Sequence, residues 1–231
     1  MCGRFTNQFT WRELVELYRI TEPYLTPLSN LQPRFNFAPT DTGPVVRLDR
    51  DGRREPAMMR WGLVPSWAKD AKGGAAMINA KAETVTEKSA YRKAFVSRPC
   101  LVPANGFYEW AKIGPKEKQP YFITTRNREP FAFAGLWEWW RPKGAPRDTP
   151  ALETFTILTT EPNAVCTPIH NRMPVMLAQD DWSGWLASVD ERQSILSRAS
   201  FSAERMESWP VGKAVGNVRN EGAQLIERLA A

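Results

Sequence analysis

Hydrophobic residues recur at helical spacing in three parts of the chain. Thr10 and Glu13 stand at the spacing of a capping box, and apolar residues follow them at intervals typical of one helix face. In the second part, Tyr91 and Phe95 are placed to share one helical face. The first predicted helix covers residues 11–20, the second begins at residues 84–87, and the third covers residues 180–189.

Between these segments, short runs of β-branched and aromatic residues indicate β-strands. The predicted strands are residues 45–48, 58–61, 101–102, 107–110, 121–124, 131–136 and 155–159. The first two flank residues 49–52, whose Asp-Gly pair is a hairpin signal. Most connections are too short for a crossover helix, so the strands are expected to be mainly antiparallel. We therefore predict an α+β fold with a curved, barrel-like sheet and a few flanking helices.

The length of the chain and the absence of repeats predict a single domain over residues 1–231. Residues 141–150, rich in proline and basic side chains, are predicted to form a long exposed loop within it. No segment approaches the roughly 20 apolar residues of a membrane span, and the N-terminus has no apolar signal region. We expect a monomeric, cytoplasmic protein with no membrane partner, associated with the nucleoid if it is bacterial.

The composition narrows the possible chemistry. The three cysteines are far apart in sequence and there is one histidine, which argues against a disulfide framework and against a zinc site. We expect no metal and no cofactor. The net charge of +6 and the ten tryptophans suit a polyanion bound by basic side chains and stacked bases. Both features are also found in basic proteins with aromatic cores that bind no nucleic acid.

Cys2 becomes the N-terminal residue if Met1 is removed, a step that is common when the second residue is small. An α-amine with a pKa of about 8 and a thiol with a pKa of about 8.5 would then lie on adjacent carbons. The amine of such a pair can form a Schiff base with an aldehyde, after which the thiol closes a five-membered ring intramolecularly. From its position alone, Cys2 could also be an ordinary residue near a terminus.

Three other side chains are candidates for chemistry. His170 lies in a segment bracketed by prolines, and histidine transfers protons near pH 7. Glu109 is predicted to share a strand face with Phe107, and a carboxyl group beside aromatic rings can have a raised pKa and act as a general acid. Asn79 has an uncharged amide that could hold an oxygen or an amine. Each of the three has a purely structural alternative. His170 could be a lone histidine in a loop, Glu109 could form a surface ion pair, and Asn79 could be a turn residue at a strand end.

Seven segments, taken together, resemble the SRAP family (SOS response-associated peptidases), which includes sensors of abasic sites in single-stranded DNA. The segments run in family order along nearly the whole chain, and their combination is far more specific than any one of them. They are MCGRF (1–5), NFAP (36–39), WGLVPSW (61–67), INAKAET (78–84), PANGFYEW (103–110), IHNRMP (169–174) and AVGNVRN (214–220).

The resemblance implies the SRAP fold and a DNA–protein crosslinking activity in the response to DNA damage. Cys2 would form a thiazolidine with the opened sugar of an abasic site, and this linkage would protect the strand from cleavage. Asn79 would hydrogen-bond near the linkage, Glu109 would help to open the sugar ring and shuttle protons, and His170 would assist opening and stabilise the intermediate. The implied DNA contacts are Arg4, Lys81 and Arg172 at phosphates, and Pro39 and Trp67 at bases.

Three positions depart from the pattern of the family. Many members have arginine where this chain has Lys81, which keeps the charge but loses bidentate phosphate geometry. Some members have a second aromatic residue at Ala68, and some have a DNA-contacting arginine at Ser89, beside Lys88. These departures concern the strength of DNA binding and leave the chemistry of Cys2 untouched.

Two other functions are compatible with the same residues. A thiol peptidase, as the family name suggests, could use Cys2, His170 and Glu109 as nucleophile, base and orienting group, acting on its own Met1 or on other peptides. A non-catalytic module for single-stranded DNA would use Trp67 and the basic residues alone. The Schiff base could also lead to lyase cleavage of the strand. A peptidase should hydrolyse an amide without DNA, whereas a binding module should be insensitive to Cys2→Ala.

Overall fold

The computed structural model describes residues 2–27, 31–146, 148–198 and 201–229. Met1, whose removal is expected, lies outside the described residues. The helices are α1 (Trp11–Tyr18), α2 (Arg92–Ser97), α3 (Trp182–Ala187) and α4 (Val189–Ser197). The strands are β1 (Phe5–Asn7), β2 (Arg34–Phe37), β3 (Thr42–Leu48), β4 (Arg54–Trp61), β5 (Asn79–Lys81), β6 (Pro99–Ala104), β7 (Gly106–Lys112), β8 (Lys118–Thr125), β9 (Phe131–Trp140), β10 (Leu152–Thr160), β11 (Met173–Pro174), β12 (Met176–Ala178) and β13 (Met206–Pro210).

Five of the strands close into a barrel. β10, β4, β3, β6 and β9 pair in that order, and β9 pairs back with β10. A second sheet contains β13, β8, β7, β1 and β2 in that order. The parallel pairs are those of β10 with β4 and with β5, and the other pairings of the described strands are antiparallel. The predicted α+β fold with a mainly antiparallel, barrel-like sheet is confirmed.

The alternation predicted along β7 is also confirmed. Phe107 packs in the main hydrophobic cluster of the barrel side, whereas Tyr108 and Trp110 pack in a separate cluster with Val211 and Val215. Because successive side chains of a strand point to opposite faces, Glu109 lies on the same side as Phe107. This places a carboxyl group among apolar side chains of the main core.

The first helix begins where the sequence predicts. Thr10 accepts a hydrogen bond from the Glu13 N–H, and the Glu13 carboxylate accepts one from the Thr10 N–H, which completes the capping box. Leu14 and Tyr18 form the buried face. The Tyr18 ring stacks on Trp182 with a centroid distance of 4.4 Å, so α1 is fastened to α3.

The other two predicted helices differ from the structure at their ends. Residues 84–88 form only one turn, and α2 begins at Arg92, because the hydroxyl of Tyr91 donates to the Asn79 carbonyl and ties the helix start to β5. The third predicted helix is divided into α3 and α4. Ser188 has extended backbone angles and its hydroxyl accepts from the Glu191 N–H, so it starts a new helix instead of continuing the first.

Four of the ten tryptophans are buried and four more are partly buried. Trp61, Trp182 and Trp185 are fully buried, in keeping with their role in core packing. Trp67 is the clearest exception, with 64% of its surface exposed. Among the described helices there is none whose length and apolar character would let it cross a membrane.

Candidate active site

Strand pairing brings together residues that are distant in sequence. Cys2 lies shortly before β1, which pairs with β7, the strand that carries Glu109. Asn79 opens β5, which pairs with Ile157 of β10. The segment after β10 carries His170 and returns to the same strand through β11. The fold therefore gathers four predicted site residues around one edge of the barrel.

Cys2 is completely buried, and its main chain is held by Asn79. The Asn79 side-chain nitrogen donates to the Cys2 carbonyl oxygen at 2.7 Å. The Cys2 sulfur lies 4.0 Å from the carbonyl oxygen of Arg4, a weak contact. Within the described part of the chain, the Asn79 side-chain oxygen is buried without a hydrogen-bond partner. A buried amide oxygen without a donor is suited to receive one from a bound molecule.

Glu109 and Cys2 influence each other electrostatically. Burial raises the pKa of the Glu109 carboxyl group above its ordinary range. Burial, and then the negative charge of Glu109, raise the pKa of the Cys2 thiol far above its usual value. The thiol is therefore neutral at neutral pH, and a carboxyl group with a raised pKa is suited to serve as a proton donor.

The ring of His170 is held at the backbone of Arg172. Its Nδ1 lies 3.0 Å from the backbone nitrogen of Arg172, whose N–H can donate to it, and 3.2 Å from the Arg172 carbonyl oxygen, to which a protonated Nδ1 can donate. Burial lowers the pKa of His170 below its ordinary value, with a further lowering from the positive charge of Lys118. The neutral ring is thus the favoured form at neutral pH, and the two contacts of Nδ1 fit either of its tautomers.

Because the pKa of His170 is lowered in the folded protein, we predict that the protein loses stability in acid. Below pH about 6.5, the unfolded chain protonates this histidine more readily than the folded protein does, so stability should fall as the pH decreases. The variant His170→Gln lacks this contribution and should lose less stability between pH 8 and pH 5. Urea unfolding of both proteins at several pH values measures the difference, and parallel pH profiles would contradict the lowered pKa.

Two residues near the site were missed by sequence reasoning. Cys166 is buried, and its carbonyl oxygen accepts from the His170 N–H at 2.9 Å. Burial, and then the charge of Glu109, raise its pKa to about 12, so this thiol stays neutral. Lys118 is exposed, and its charge lowers the pKa of Glu109 as well as that of His170. The spacing of Cys166 and His170 in the sequence was a possible signal that Cys166 lies near the site. Nothing in the sequence marks Lys118.

The residues expected to contact DNA lie in different environments. Trp67 and Lys81 are exposed and Pro39 is partly buried. The loop that carries Trp67 is anchored at its neighbour Ala68, whose carbonyl oxygen accepts from the Trp140 indole at 2.8 Å. Because the loop is tied to β9, the Trp67 ring is held at the surface, where stacking on a base costs little reorganisation.

Arg4 has an internal role that the sequence did not suggest. It is 8% exposed, and its Nη1 donates to the Asn36 side-chain oxygen at 2.6 Å and to the Val215 carbonyl at 2.7 Å. The Asn36 side-chain nitrogen in turn donates to the carbonyls of Asn217 and Asn220. These bonds fasten the C-terminal segment to β1 and β2. The expected phosphate contact of Arg4 stays a prediction.

Asn36→Ala should therefore weaken the fold. Its removal leaves buried donors and acceptors without partners, which costs about 2–4 kcal/mol of unfolding free energy for a network of this size. Chemical denaturation monitored by tryptophan fluorescence measures the loss. Gln193→Ala, on the exposed side of α4, is the control and should change stability by less than about 0.5 kcal/mol. Equal denaturation midpoints for the two variants would show that the hydrogen bonds of Asn36 contribute little to stability.

Within the described residues there is no group of three or more histidine, cysteine, aspartate or glutamate side chains that could hold a metal ion.

Comparisons with known proteins agree with the family resemblance of the sequence. The model of the family described as SOS response associated peptidase (SRAP) matches residues 1–218. The chain is 40% identical to "Abasic site processing protein YoaM" of Bacillus subtilis, over 98% of each chain. It is 36% identical to "Abasic site processing protein YobE" of the same organism, over 94% of this chain and 97% of the relative.

A solved structure shows the same fold. The crystal structure of a protein from Bacteroides thetaiotaomicron superimposes with a TM-score of 0.81 and covers 98% of this chain and 100% of its own. Its sequence identity is 24%, so the likeness extends to the arrangement of helices and strands.

Proposed function

This chain belongs to the SOS response-associated peptidase (SRAP) family, and we propose that it captures abasic sites in single-stranded DNA as a covalent adduct of Cys2. Relatives that match nearly the whole chain are named abasic site processing proteins, which supports a DNA substrate with a missing base. The opened sugar of an abasic site has an aldehyde, and an N-terminal aminothiol is suited to that group.

The observation that carries the proposal is the environment of Cys2. Its carbonyl is fixed by the Asn79 amide at 2.7 Å, and the charge of Glu109 acts directly on its thiol. This arrangement holds the first residues of the chain against a proton donor. It would place the α-amine and the thiol of the processed N-terminus at one reacting carbon.

The reaction proceeds in two bond-forming steps. The neutral amine attacks the aldehyde carbon, and loss of water gives a Schiff base. The thiol then adds across the C=N bond, so that sulfur bonds to carbon and the thiol proton moves to nitrogen. The second step joins groups on adjacent carbons and is strongly favoured because it is intramolecular. The ring removes the Schiff base from which strand cleavage would start, so the DNA is protected.

The side chains of the site match the proton transfers of this scheme. Glu109, whose pKa is raised by burial, donates a proton to the sugar ring oxygen as the ring opens and takes it back from the amine. His170 donates a ring N–H to an oxygen of the opened sugar. The Asn79 side-chain oxygen accepts a hydrogen bond near the new linkage.

The DNA strand is bound through one exposed ring and a small number of cations. Trp67, with Pro39, stacks against bases beside the lesion. Lys81 contacts a phosphate, and Arg172 adds a contact through the one N–H that its bonds to Glu83 and Thr159 leave accessible. Arg4 supports the site from the interior. Only the small exposed part of its side chain reaches the DNA backbone. A duplex would have to lose pairing and stacking to expose the sugar, so single strands are preferred.

The thiol environment disfavours the peptidase alternative. A thiol protease needs a thiolate, which cationic neighbours or a helix N-terminus promote. Burial and the charge of Glu109 both oppose thiolate formation at Cys2. In the proposed reaction the amine attacks first, and the thiol is needed only after a reactive imine stands beside it.

A denaturing gel tests the proposal. Purified protein, shown by mass spectrometry to lack Met1, is mixed with a single-stranded oligonucleotide that carries one abasic site. The same protein is mixed with the intact oligonucleotide and with a duplex of the abasic strand. We expect a stable shifted band with the abasic single strand alone. Absence of that band, or hydrolysis of a peptide substrate without DNA, would refute the proposal.

A further inference from the structure

Arg172 is held by an ion pair that faces the proposed DNA surface. Its Nη1 donates to one carboxylate oxygen of Glu83 at 2.7 Å and its Nη2 to the other at 2.8 Å. Nη2 also donates to the Thr159 carbonyl at 2.6 Å. The side chain of Arg172 is 14% exposed, whereas that of Glu83 is 45% exposed. The pair is thus bidentate, partly shielded from water, and attached to β10.

These contacts leave Arg172 little capacity to bind a phosphate. A guanidinium group has five N–H bonds. Three of them point at Glu83 and Thr159. The Nε–H is buried and has no partner among the described residues, so a phosphate cannot reach it without movement of the side chain. One N–H, on Nη1, remains for DNA, and the fork that makes arginine an effective phosphate ligand is already occupied.

The same pair is connected to the proton-donating histidine. The backbone N–H and the carbonyl oxygen of Arg172 both lie within hydrogen-bond distance of Nδ1 of His170, at 3.0 and 3.2 Å. Fixing the guanidinium of Arg172 at Glu83 and Thr159 restrains the backbone that makes these contacts. Glu83 therefore acts on the position of the His170 ring through Arg172.

Lys81 stands at the other side of Glu83. The hydrogen bonds from Arg172 lower the pKa of Glu83, and the charge of Lys81 lowers it further, so the carboxylate stays ionised. Lys81, Glu83 and Arg172 together have a net charge of +1, since two cations face one anion. Without Glu83 the net charge of this cluster would be +2.

We propose that Glu83 is a positioning residue that holds Arg172 as a support for His170 and thereby limits its contact with DNA phosphates. This inference rests on the proposed function, because it assigns Glu83 to the same site. Glu83 lowers the general affinity for DNA, and in return it keeps the His170 ring in one position against the backbone of Arg172. DNA without a lesion is then released easily, and an abasic site is retained by the covalent bond.

The first test measures the salt dependence of binding to intact single-stranded DNA, in which no covalent chemistry occurs. Glu83→Gln keeps the shape of the side chain and removes its charge. Freeing one phosphate contact should steepen the slope of log K against log salt by about 0.7 for a single strand. Between 50 and 200 mM salt, that slope change amounts to an additional loss of affinity of about threefold. Glu83→Asp, which keeps the charge, should retain the slope of the natural protein.

The second test follows the imidazole itself. His170 is the only histidine in the chain, so ¹⁵N NMR of histidine-labelled protein reports one ring without ambiguity. The natural protein should show one pair of ring ¹⁵N signals, set by the fixed contacts of Nδ1 with the Arg172 backbone. Glu83→Gln should shift or broaden these signals as the ring gains other positions, and its rate of adduct formation at saturating protein should fall by on the order of tenfold.

Glu129→Gln is the matched control for both measurements. Glu129 forms a similar bidentate pair with Arg205, also at the surface, with no contact to the site residues. It should leave the salt slope and the histidine spectrum unchanged. An unchanged slope in Glu83→Gln would show that Glu83 does not restrain Arg172 and would overturn the proposal. An unchanged histidine spectrum would overturn the positioning role.

The two proposals fail in different ways. Neither the salt slope nor the histidine spectrum needs an abasic site. If the natural protein forms no adduct, the proposed function is wrong, and both measurements still decide the role of Glu83. If the adduct forms normally but Glu83→Gln behaves like the natural protein, only the role of Glu83 is wrong.

Discussion

Replacement of Cys2 with alanine is expected to remove the stable DNA adduct. Alanine is small, so removal of Met1 should still occur and the α-amine should still be present. The variant can form the Schiff base but cannot close the ring, and the imine is hydrolysed when the protein is denatured. Because ring closure is intramolecular and strongly favoured, its loss should reduce the surviving adduct by on the order of 10³-fold or more.

Reduction with borohydride separates the two steps. In Cys2→Ala, borohydride should trap the Schiff base and restore a shifted band, because reduction of the C=N bond makes it permanent. Cys2→Ser should likewise weaken the stable linkage more than the transient imine. Cys100→Ala is the matched control, since it removes a buried thiol from β6, away from the site, and should leave the adduct unchanged. An undiminished adduct in Cys2→Ala without borohydride would show that another group is the nucleophile.

Replacement of Glu109 with glutamine is expected to slow the reaction and to stabilise the protein. The amide keeps the size of the side chain but cannot donate an acidic proton to the sugar ring oxygen. General acid–base catalysis contributes about 10²–10⁴-fold, so the rate of adduct formation should fall by about that factor. Single-turnover kinetics at saturating protein measure the rate without a contribution from DNA affinity.

The gain in stability follows from the raised pKa of Glu109. The folded protein favours the protonated carboxyl group, whereas the unfolded chain ionises it above pH about 4.3. Stability is therefore lost as the pH rises from that value towards the raised pKa. Glu109→Gln has no such loss, so its Tm should exceed that of the natural protein near pH 7. The advantage should disappear near pH 4.

Glu138→Gln provides the contrast for this prediction. Glu138 is also buried, but it accepts from Arg98 at 2.7 Å, so its charge is compensated inside the fold. Removing that charge leaves a shielded arginine without its partner and should lower Tm. Thermal unfolding of both variants at pH 7 compares them directly. A lower Tm for Glu109→Gln would mean that the ionised carboxylate is stabilised in the folded protein.

The strongest local patterns of the sequence survive in the structure because few distant contacts compete with them. The capping box of Thr10 and Glu13 starts α1 at the predicted place, since both bonds are made within one turn. Alternation along β7 places Glu109 with Phe107, since a strand has only two faces. Helix ends were less predictable. The start of α2 depends on the contact of Tyr91 with β5, and Ser188 divides the third predicted helix.

The sequence by itself determined the family and the fold class and predicted the reactive groups, because these depend on residue types in a fixed order. Only the tertiary structure decided how those groups are surrounded. Burial raises the pKa values of Cys2 and Glu109, the backbone of Arg172 holds Nδ1 of His170, and the pairing with Glu83 commits most of the Arg172 fork. A side chain's charge and availability depend on the atoms packed around it, and those atoms come from segments far away in the chain.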